Sequence, residues 1–569
     1  MDRGGRASVN ILGINYFFHD STACLLVDGK LAVAVEEERL TRQKHTNAFP
    51  TRAVNTCLRF VGASYSDVDR VAVSIQPTKN WAARVSYGLS HLSNVRSFAS
   101  HELVGAYFKQ RKFWDWYRSV FTGRRPPVDF VPHHAAHAVG SFLASPYDRA
   151  ALLSLDGSGE WATSFLGVGE GTQVGRFHES YFPMSLGSFY EAATEFCGFR
   201  PNYDEGKTMG LAPFGDWKVF DSRVADIARV DGDGAIKIDL SYFNYQYWGA
   251  RRCGRKFYEA FGKPRARNDE FREHHQHVAA AFQHVLEERA LELATILKRR
   301  TGARHLVIAG GVGLNSVMNG RLLREAGFDD IYVMPAAGDN GTAIGAALYS
   351  HHVIMAQPRK WVHDDPYLGT AYSDAEIEKL LRECKLRAER VDDVAGVTAR
   401  LLADGRIVGW FQGRMEIGPR ALGGRSIIAD PTRSDMKDRI NAEVKHREAY
   451  RPFAPSVLAE AKDEYFEIKG ESPFMLKVCN VRPHMRARLP AITHVDGTAR
   501  VQTVGRERYP LYYSMIQAFG KLTGVPVVLN TSFNVQGEPI VESPRDALRC
   551  FFSTGLDALV LGSFVIRKS

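Results

Sequence analysis

The sequence predicts an α/β chain of two functional modules, and three observations carry that prediction. A β-hairpin unit with a polar loop after its first strand occurs near residue 10 and again near residue 150. Two strand–glycine loop–helix units follow in series from residue 305 onward. An aperiodic stretch at 357–372, with Pro358 and Pro366, then separates these from a new set of helices and strands.

Taken in order, residues 10–15 and 22–27 are short apolar runs, and 31–36 follows an Asp28-Gly29 turn, a strong hairpin signal. The first loop is 16–21 and carries His19-Asp20. The same grammar returns as strand 150–155, loop 156–160, strand 161–168, a glycine turn and strand 173–177. Residues 49–61 and 269–300 have helical apolar spacing. Strand 305–309 opens into Gly310–Asn315, and strand 331–334 opens into 335–341, each before a helix. Past the junction, 374–402 reads as helical and 407–412 begins the second set of strands.

The composition narrows the classes. A chain of 569 residues with 45% hydrophobic and 24% charged residues is globular and long enough for two to four domains. No apolar run approaches the ~20 residues of a membrane span, and the polar N-terminus has no secretory pattern. Seven scattered cysteines form no C-x-x-C pair, which fits a reducing compartment and predicts a cytoplasmic protein. The net charge of +9 fits either nucleic acid or small polyanions.

Several residue sets carry chemistry. His133 and His137 follow Pro132 four residues apart, so a helix would present both on one face, as paired metal ligands require. Asp339 or Asp156, each in a loop after a strand, would supply a carboxylate, and iron, zinc or manganese suits that donor set. The histidines at 274, 275, 277 and 284 lie in a Glu- and Arg-rich helix and read as a solvated face. His19, on a loop beside Asp20, is placed to act as a general base. The glycine loops at 310–313 and 338–341 offer N–H groups to phosphate, or serve only as tight turns. Residues 413–426 and 436–453 interleave Arg and Lys with Gly, Pro and apolar side chains. They read as an anion pocket or as a basic surface, with Asn530–Asn534 adding short polar donors.

Together these motifs resemble the O-carbamoyltransferases that decorate antibiotics, toxins and nodulation factors, across essentially the whole chain. The resemblance rests on His19-Asp20, Glu36–Arg39, His133-x-x-x-His137, Lys207–Pro213, Asp339, Arg414–Ser426, Lys445–Pro455 and Asn530–Gly537. It implies a carbamoyl-transfer domain at 1–356, of actin-like ATPase fold and similar to the tRNA threonylcarbamoyl-transfer protein. It implies a carbamoyladenylate-forming domain at 373–569, similar to threonylcarbamoyl-adenylate synthase. Carbamoyl phosphate and ATP, the latter with Mg2+, would give carbamoyladenylate, and the carbamoyl group would pass to a hydroxyl of a small natural product with release of AMP. The resemblance places Lys445, Arg451, Arg500 and Ser532 at the polyphosphate site with Arg420 nearby. It places Gly311, Asn315 and Lys207 in the nucleotide-binding set. It puts His133, His137, Asp339 and, as a further ligand, Asp156 on a divalent Fe, Mn or Zn ion, and His19 at the attacking acceptor.

Two other classes compete. The basic aromatic stretch 108–125 would suit a tRNA-modifying or RNA-binding protein, or simply an amphipathic helix capping the domain. An actin-fold sugar kinase would leave the 414–532 constellation idle.

Overall fold

The computed structural model describes residues 8–16, 18–90, 105–247 and 250–568. It forms two compact units. The first takes the chain up to Glu37, then His45–Leu314 and Glu325–His363; the second takes Glu38–Lys44, Asn315–Arg324 and Asp364–Ser569.

The first unit holds two five-stranded sheets. One is built from β1 (Asn10–Asn15), β2 (Thr22–Val27), β3 (Lys30–Glu36), β4 (Arg70–Val73) and β5 (Val128–Phe130), in the order β3-β2-β1-β4-β5. The strands β6 (Arg149–Gly159), β7 (Ala162–Glu170) and β8 (Gln173–His178) open the other. After a small ribbon of β9 (Ala228–Val230) and β10 (Ile236–Ile238), β11 (His305–Ala309) and β12 (Asp330–Val333) complete it, in the order β12-β11-β6-β7-β8. In both sheets an antiparallel meander is extended from its first strand by two parallel strands. The hairpin repeat read in the sequence is therefore a repeat of whole-sheet topology.

One detail differs from the sequence reading and matters for the site. Residues 156–159, expected as loop, continue β6, with the register against β7 shifting between Leu155 and Gly159. Such a bulge re-aims side chains at a strand end, and Asp156 sits on it.

The helix His133–Ala144 begins directly after Pro132, whose fixed φ suits a helix entry. It crosses the helix Thr342–Tyr349 at glycines: a Cβ on Gly140 would lie 2.2 Å from Gly345 Cα, and one on Gly345 1.9 Å from Ala136 O. No side chain fits there, so the two helices approach backbone to backbone.

The second unit is organised on eight strands. These are β13 (Glu389–Arg390), β14 (Val408–Phe411), β15 (Arg425–Ala429), β16 (Ala454–Leu458), β20 (Gln502–Val504), β21 (Val527–Ser532), β22 (Ala558–Leu561) and β23 (Phe564–Arg567), ordered β13-β23-β22-β14-β15-β21-β16-β20. The strands β17 (Phe466–Glu467), β18 (Val478–Val481) and β19 (Thr498–Arg500) form a separate small sheet. Period-two alternation divides the large sheet between two apolar layers: Ile427 and Phe411 enter one, Ile428 and Trp410 the other. The expected helix at 374–402 is two helices, Asp374–Glu383 and Val394–Ala403. Lys385 turns the chain at φ 54°, and Asp393 caps the second helix through Gly396 N.

Against the expected domains at 1–356 and 373–569, the second unit also takes 38–44 and 315–324. Arg39, fully buried, donates to Gly418 O at 2.6 Å, and Arg42 donates to Pro539 O and Ile540 O at 2.7 and 2.6 Å. Asn319 donates to Leu476 O at 3.0 Å, while Gly320 lies flat against the Val478 backbone. These side-chain-to-carbonyl bonds bind 38–44 and 315–324 into the second unit. Local periodicity carries no trace of them.

The stretch 108–125 resolves toward the capping helix. Within Ala106–Val120, Phe113, Trp116 and Tyr117 are buried, and Arg111 and Arg118 both face Asp115. Most rings that would stack on bases are turned inward. Among the described residues no helix is long and apolar enough to cross a membrane.

Candidate active sites

The first site gathers His133, His137, Asp156 and Asp339, all buried. The helix start supplies both imidazoles on one face, the β6 bulge supplies Asp156, and the turn after β12 supplies Asp339. The two Nε2 atoms lie 3.0 Å apart, and each is 3.4–3.8 Å from Asp156 Oδ2 and Asp339 Oδ1. Four donors so spaced match ligands about 2.0–2.2 Å from one shared ion. Two imidazoles facing one another nitrogen to nitrogen also need a cation or proton between them. The set fits a divalent metal.

Electrostatics agree. Burial opposes charge on His133, but Asp339 and Asp156 overcome it and push the imidazole up to about 10. Burial likewise works against the Asp156 and Asp339 carboxylates, yet the facing histidines hold both below the usual range. The two carboxylates thus favour positive charge in this pocket. His134 points away, bonds Ser154 Oγ and Ala162 O, and is pushed down to about 3 by burial and by His133.

Supporting groups hold the ligands. Gly311 N donates to Asp156 Oδ1 at 2.9 Å, so one N–H of the glycine loop serves the carboxylate. Glu160 Oε2 accepts from His133 N. Gly159 leaves room for the His133 ring, because a Cβ there would come within 2.0 Å of it. Asn340 Nδ2 reaches Glu36 Oε1 at 2.5 Å and pins the turn that holds Asp339.

The glycine crossing of the two helices sets the distance between the histidines and Asp339. Gly345→Val would force them apart, because overpacking a tight crossing displaces backbone. We expect metal retained after dialysis to fall and affinity to drop about 10- to 100-fold, read by metal analysis of the purified chain.

His19 lies on the β1–β2 turn, topologically equivalent to the β6–β7 turn that follows Asp156. Its Nδ1 is 2.9 Å from Asp20 Oδ2. Burial disfavours its charged form, but Asp339, Asp20 and Asp156 raise it well above an ordinary histidine. The Asp339 and Asp156 carboxylates thus favour the charged form of His19.

Two other expected residues make local contacts. Lys207 pairs with Asp204 at 3.2 Å. Asn315, in the segment belonging to the second unit, caps the helix Ser316–Glu325 by accepting from Met318 N at 3.0 Å. The histidines at 274, 275, 277 and 284 bond Lys263 O, Asp216 N and the Trp217 ring, and none joins the ligand set.

The second site is a cation cluster in the second unit. Lys445 ends a π-helical turn, Ile440–Lys445, and is buried. Its ammonium faces Ser532 O, Ser532 Oγ, Asn534 O at 3.0 Å and Asn534 Oδ1 at 2.8 Å. Burial, then Arg447 and Arg451, hold it well below an ordinary lysine. Burial and Arg451 lower Arg420 to about 10 and Arg447 to about 9. Burial, Arg420, Arg447 and Arg451 hold Arg500 well below an ordinary arginine. The Nε atoms of Arg420 and Arg500 are buried without a partner among the described residues. Positive charge concentrated this way stabilises bound polyanions.

Within 413–426 the structure separates roles. Arg414 donates to Gly369 O and Leu368 O. Arg425 lies 3.6 Å over the Phe411 ring and bonds Gln412 O. Glu416 Oε1 gathers the N–H groups of Leu422, Gly424 and Arg425. Of that loop's arginines, Arg420 alone joins the cation cluster. Sequence reasoning did not single out Arg447 or Asn534; the available signal was their position inside the basic segment and the 530–534 run.

Comparison with known proteins gives two family matches: Carbamoyltransferase N-terminus over residues 10–348 and Carbamoyltransferase C-terminus over residues 399–568. The chain is 41% identical to the uncharacterized protein sll1178 of Synechocystis, over 98% of this chain and 97% of that one. It is 40% identical to nodulation protein NolNO of Sinorhizobium fredii, over 97% of this chain and 80% of the relative. It is 41% identical to nodulation protein NolO of Bradyrhizobium diazoefficiens, over 77% and 78%. Component A of (R)-2-hydroxyglutaryl-CoA dehydratase from Acidaminococcus fermentans aligns loosely, at 13% identity and a TM-score of 0.29, over 60% of this chain and 97% of that one.

Proposed function

The chain belongs to the carbamoyltransferase family, and from that membership we propose an ATP-dependent O-carbamoyltransferase that works through carbamoyladenylate. The observation that carries this reading is the presence in one chain of two unlike sites. One is a cation cluster of buried Lys445 and half-buried arginines, suited to two anionic substrates; the other is a buried His/Asp set beside a histidine base. The second unit would then be the adenylating domain, similar in role to threonylcarbamoyl-adenylate synthase. The first would be the transfer domain, of actin-like ATPase type.

In the second unit, Lys445, Arg420, Arg447, Arg451 and Arg500 hold carbamoyl phosphate and the ATP phosphates together and offset their repulsion. Ser532 and Asn534 fix the ammonium. Carbamoyl phosphate, ATP and one water give carbamoyladenylate, phosphate and pyrophosphate; the bonds broken are the carbamoyl–phosphate bond and the α–β anhydride.

In the first unit, His19 Nε2 takes the proton of the acceptor hydroxyl while its oxygen attacks the carbamoyl carbon and AMP leaves with the bonding electrons. His133, His137, Asp156 and Asp339 would hold the divalent ion, which when bound neutralises charge on the departing phosphate. The two half-reactions make the test direct. Pyrophosphate release should need both ATP and carbamoyl phosphate, and AMP with a carbamate ester should appear only when a suitable alcohol from a panel is added. AMP formed with tRNA but with no small alcohol would favour the RNA-modifying reading instead.

A further inference from the structure

The second oxygen of Asp20 points to a residue that the reading above leaves out. Asp20 Oδ2 engages His19 Nδ1 at 2.9 Å, and Asp20 Oδ1 engages His45 Nδ1 at 2.7 Å. A carboxylate held through one oxygen can swing about its χ2 bond, whereas one held through both has a fixed plane.

The surrounding backbone is arranged to keep this geometry. Asp20 and His45 both lie in the left-handed region, at φ 52° and 54°, which Asp and His enter more readily than most side chains. Asn15 Nδ2 donates to His19 O and Asp20 O, each at 3.1 Å, and Thr22 Oγ1 donates to Asp20 O at 2.9 Å. Ser21 N reaches Thr46 O at 3.0 Å, tying the Asp20 turn to the residue beside His45. The His45 ring meets Tyr203 edge-on at 4.7 Å, and Arg200 stacks on Tyr203 at 3.6 Å. The His45 ring thus contacts both Asp20 and Tyr203.

We propose that His45 is a positioning residue of the transfer step, clamping Asp20 so that His19 keeps Nδ1–H toward the carboxylate and Nε2 toward the acceptor. The proposal rests on the reading of His19 as the transfer base. With Asp20 fixed at both oxygens, the His19 ring is set before the acceptor arrives; without the His45 hydrogen bond, the carboxylate swings and the ring samples non-productive orientations.

The test compares three substitutions at position 45 in the full chain, with pyrophosphate release as the measure of the other half-reaction. His45→Leu lowers kcat of carbamoyl transfer by about 10- to 100-fold, the value of a hydrogen bond to a charged group, while KM for the acceptor stays within about twofold. His45→Asn, whose amide nitrogen stands where Nδ1 stands, recovers most of the rate. His45→Gln, whose amide reaches the Nε2 position instead, does not. Combining His45→Leu with Asp20→Asn costs no more than Asp20→Asn alone.

Unchanged kcat in His45→Leu, a raised KM with normal kcat, equal rates for the Asn and Gln variants, or additive losses in the double variant would each overturn the proposal. His19→Asn separates the two failures. If that variant still transfers, the base assignment itself is wrong; if it is inactive while His45→Leu is normal, only the clamp is wrong.

Discussion

Lys445→Ala is expected to lower pyrophosphate release from ATP and carbamoyl phosphate by about 10^2- to 10^3-fold, the range for losing one preorganised charge stabiliser. The ammonium is buried, fixed by oxygens of Ser532 and Asn534, and neighbours Arg447 and Arg451. Its desolvation is complete before substrate binds, so it needs no reorganisation when charge develops on the phosphates. Lys445→Arg should rescue little, because a planar guanidinium is larger than an ammonium and cannot meet the same oxygens in the same geometry. Transfer from carbamoyladenylate supplied by wild-type enzyme should survive in both variants. A rate of pyrophosphate release within threefold of wild type in Lys445→Ala would remove this lysine from the adenylation chemistry.

His19→Asn gives the complementary result. Transfer to the acceptor falls by about 10^2- to 10^4-fold, as for loss of a general base, while pyrophosphate release persists. The pH dependence sharpens this expectation. A base must be neutral to accept a proton, and in the ion-free protein Asp339, Asp20 and Asp156 hold His19 well above its ordinary value. A divalent cation on Asp339 and Asp156 offsets two of those three charges. The acid limb of kcat/KM for transfer should therefore lie at higher pH in chelator-treated enzyme than in metal-loaded enzyme. A limb at the same pH in both would mean that His19 does not feel the metal-site carboxylates. Equal loss of both half-reactions in His19→Asn would sink the division of labour between the sites.

How much of this was legible depends on the length scale of each signal. The strands of both hairpin units and the helix after Pro132 follow from runs of a few residues, and the fold keeps them. The split of 374–402 at Lys385 was missed because the apolar spacing of two adjacent helices reads as one. Asp156 was assigned to a loop, since a bulged strand end has the Gly and Asp composition of a turn. A carboxylate on a bulged strand end offers a metal the same oxygens as one on a loop.

The sequence by itself determined which residues were candidates. The i, i+4 spacing of His133 and His137, the His19-Asp20 turn and the interleaved arginines are local facts, and local spacing fixes which side chains share a face. Only the tertiary structure decided which candidates meet. Asp339 joins His133 because two helices cross at Gly140 and Gly345 with no room for a side chain. Arg420 joins the cation cluster while Arg414 and Arg425 are bonded to carbonyls. Asp20 is shared between His19 and His45. Segments 38–44 and 315–324 leave their sequence neighbours for the second unit. Each of these is set by packing and hydrogen bonding between residues far apart in the chain, where periodicity, a property of neighbours, has nothing to report.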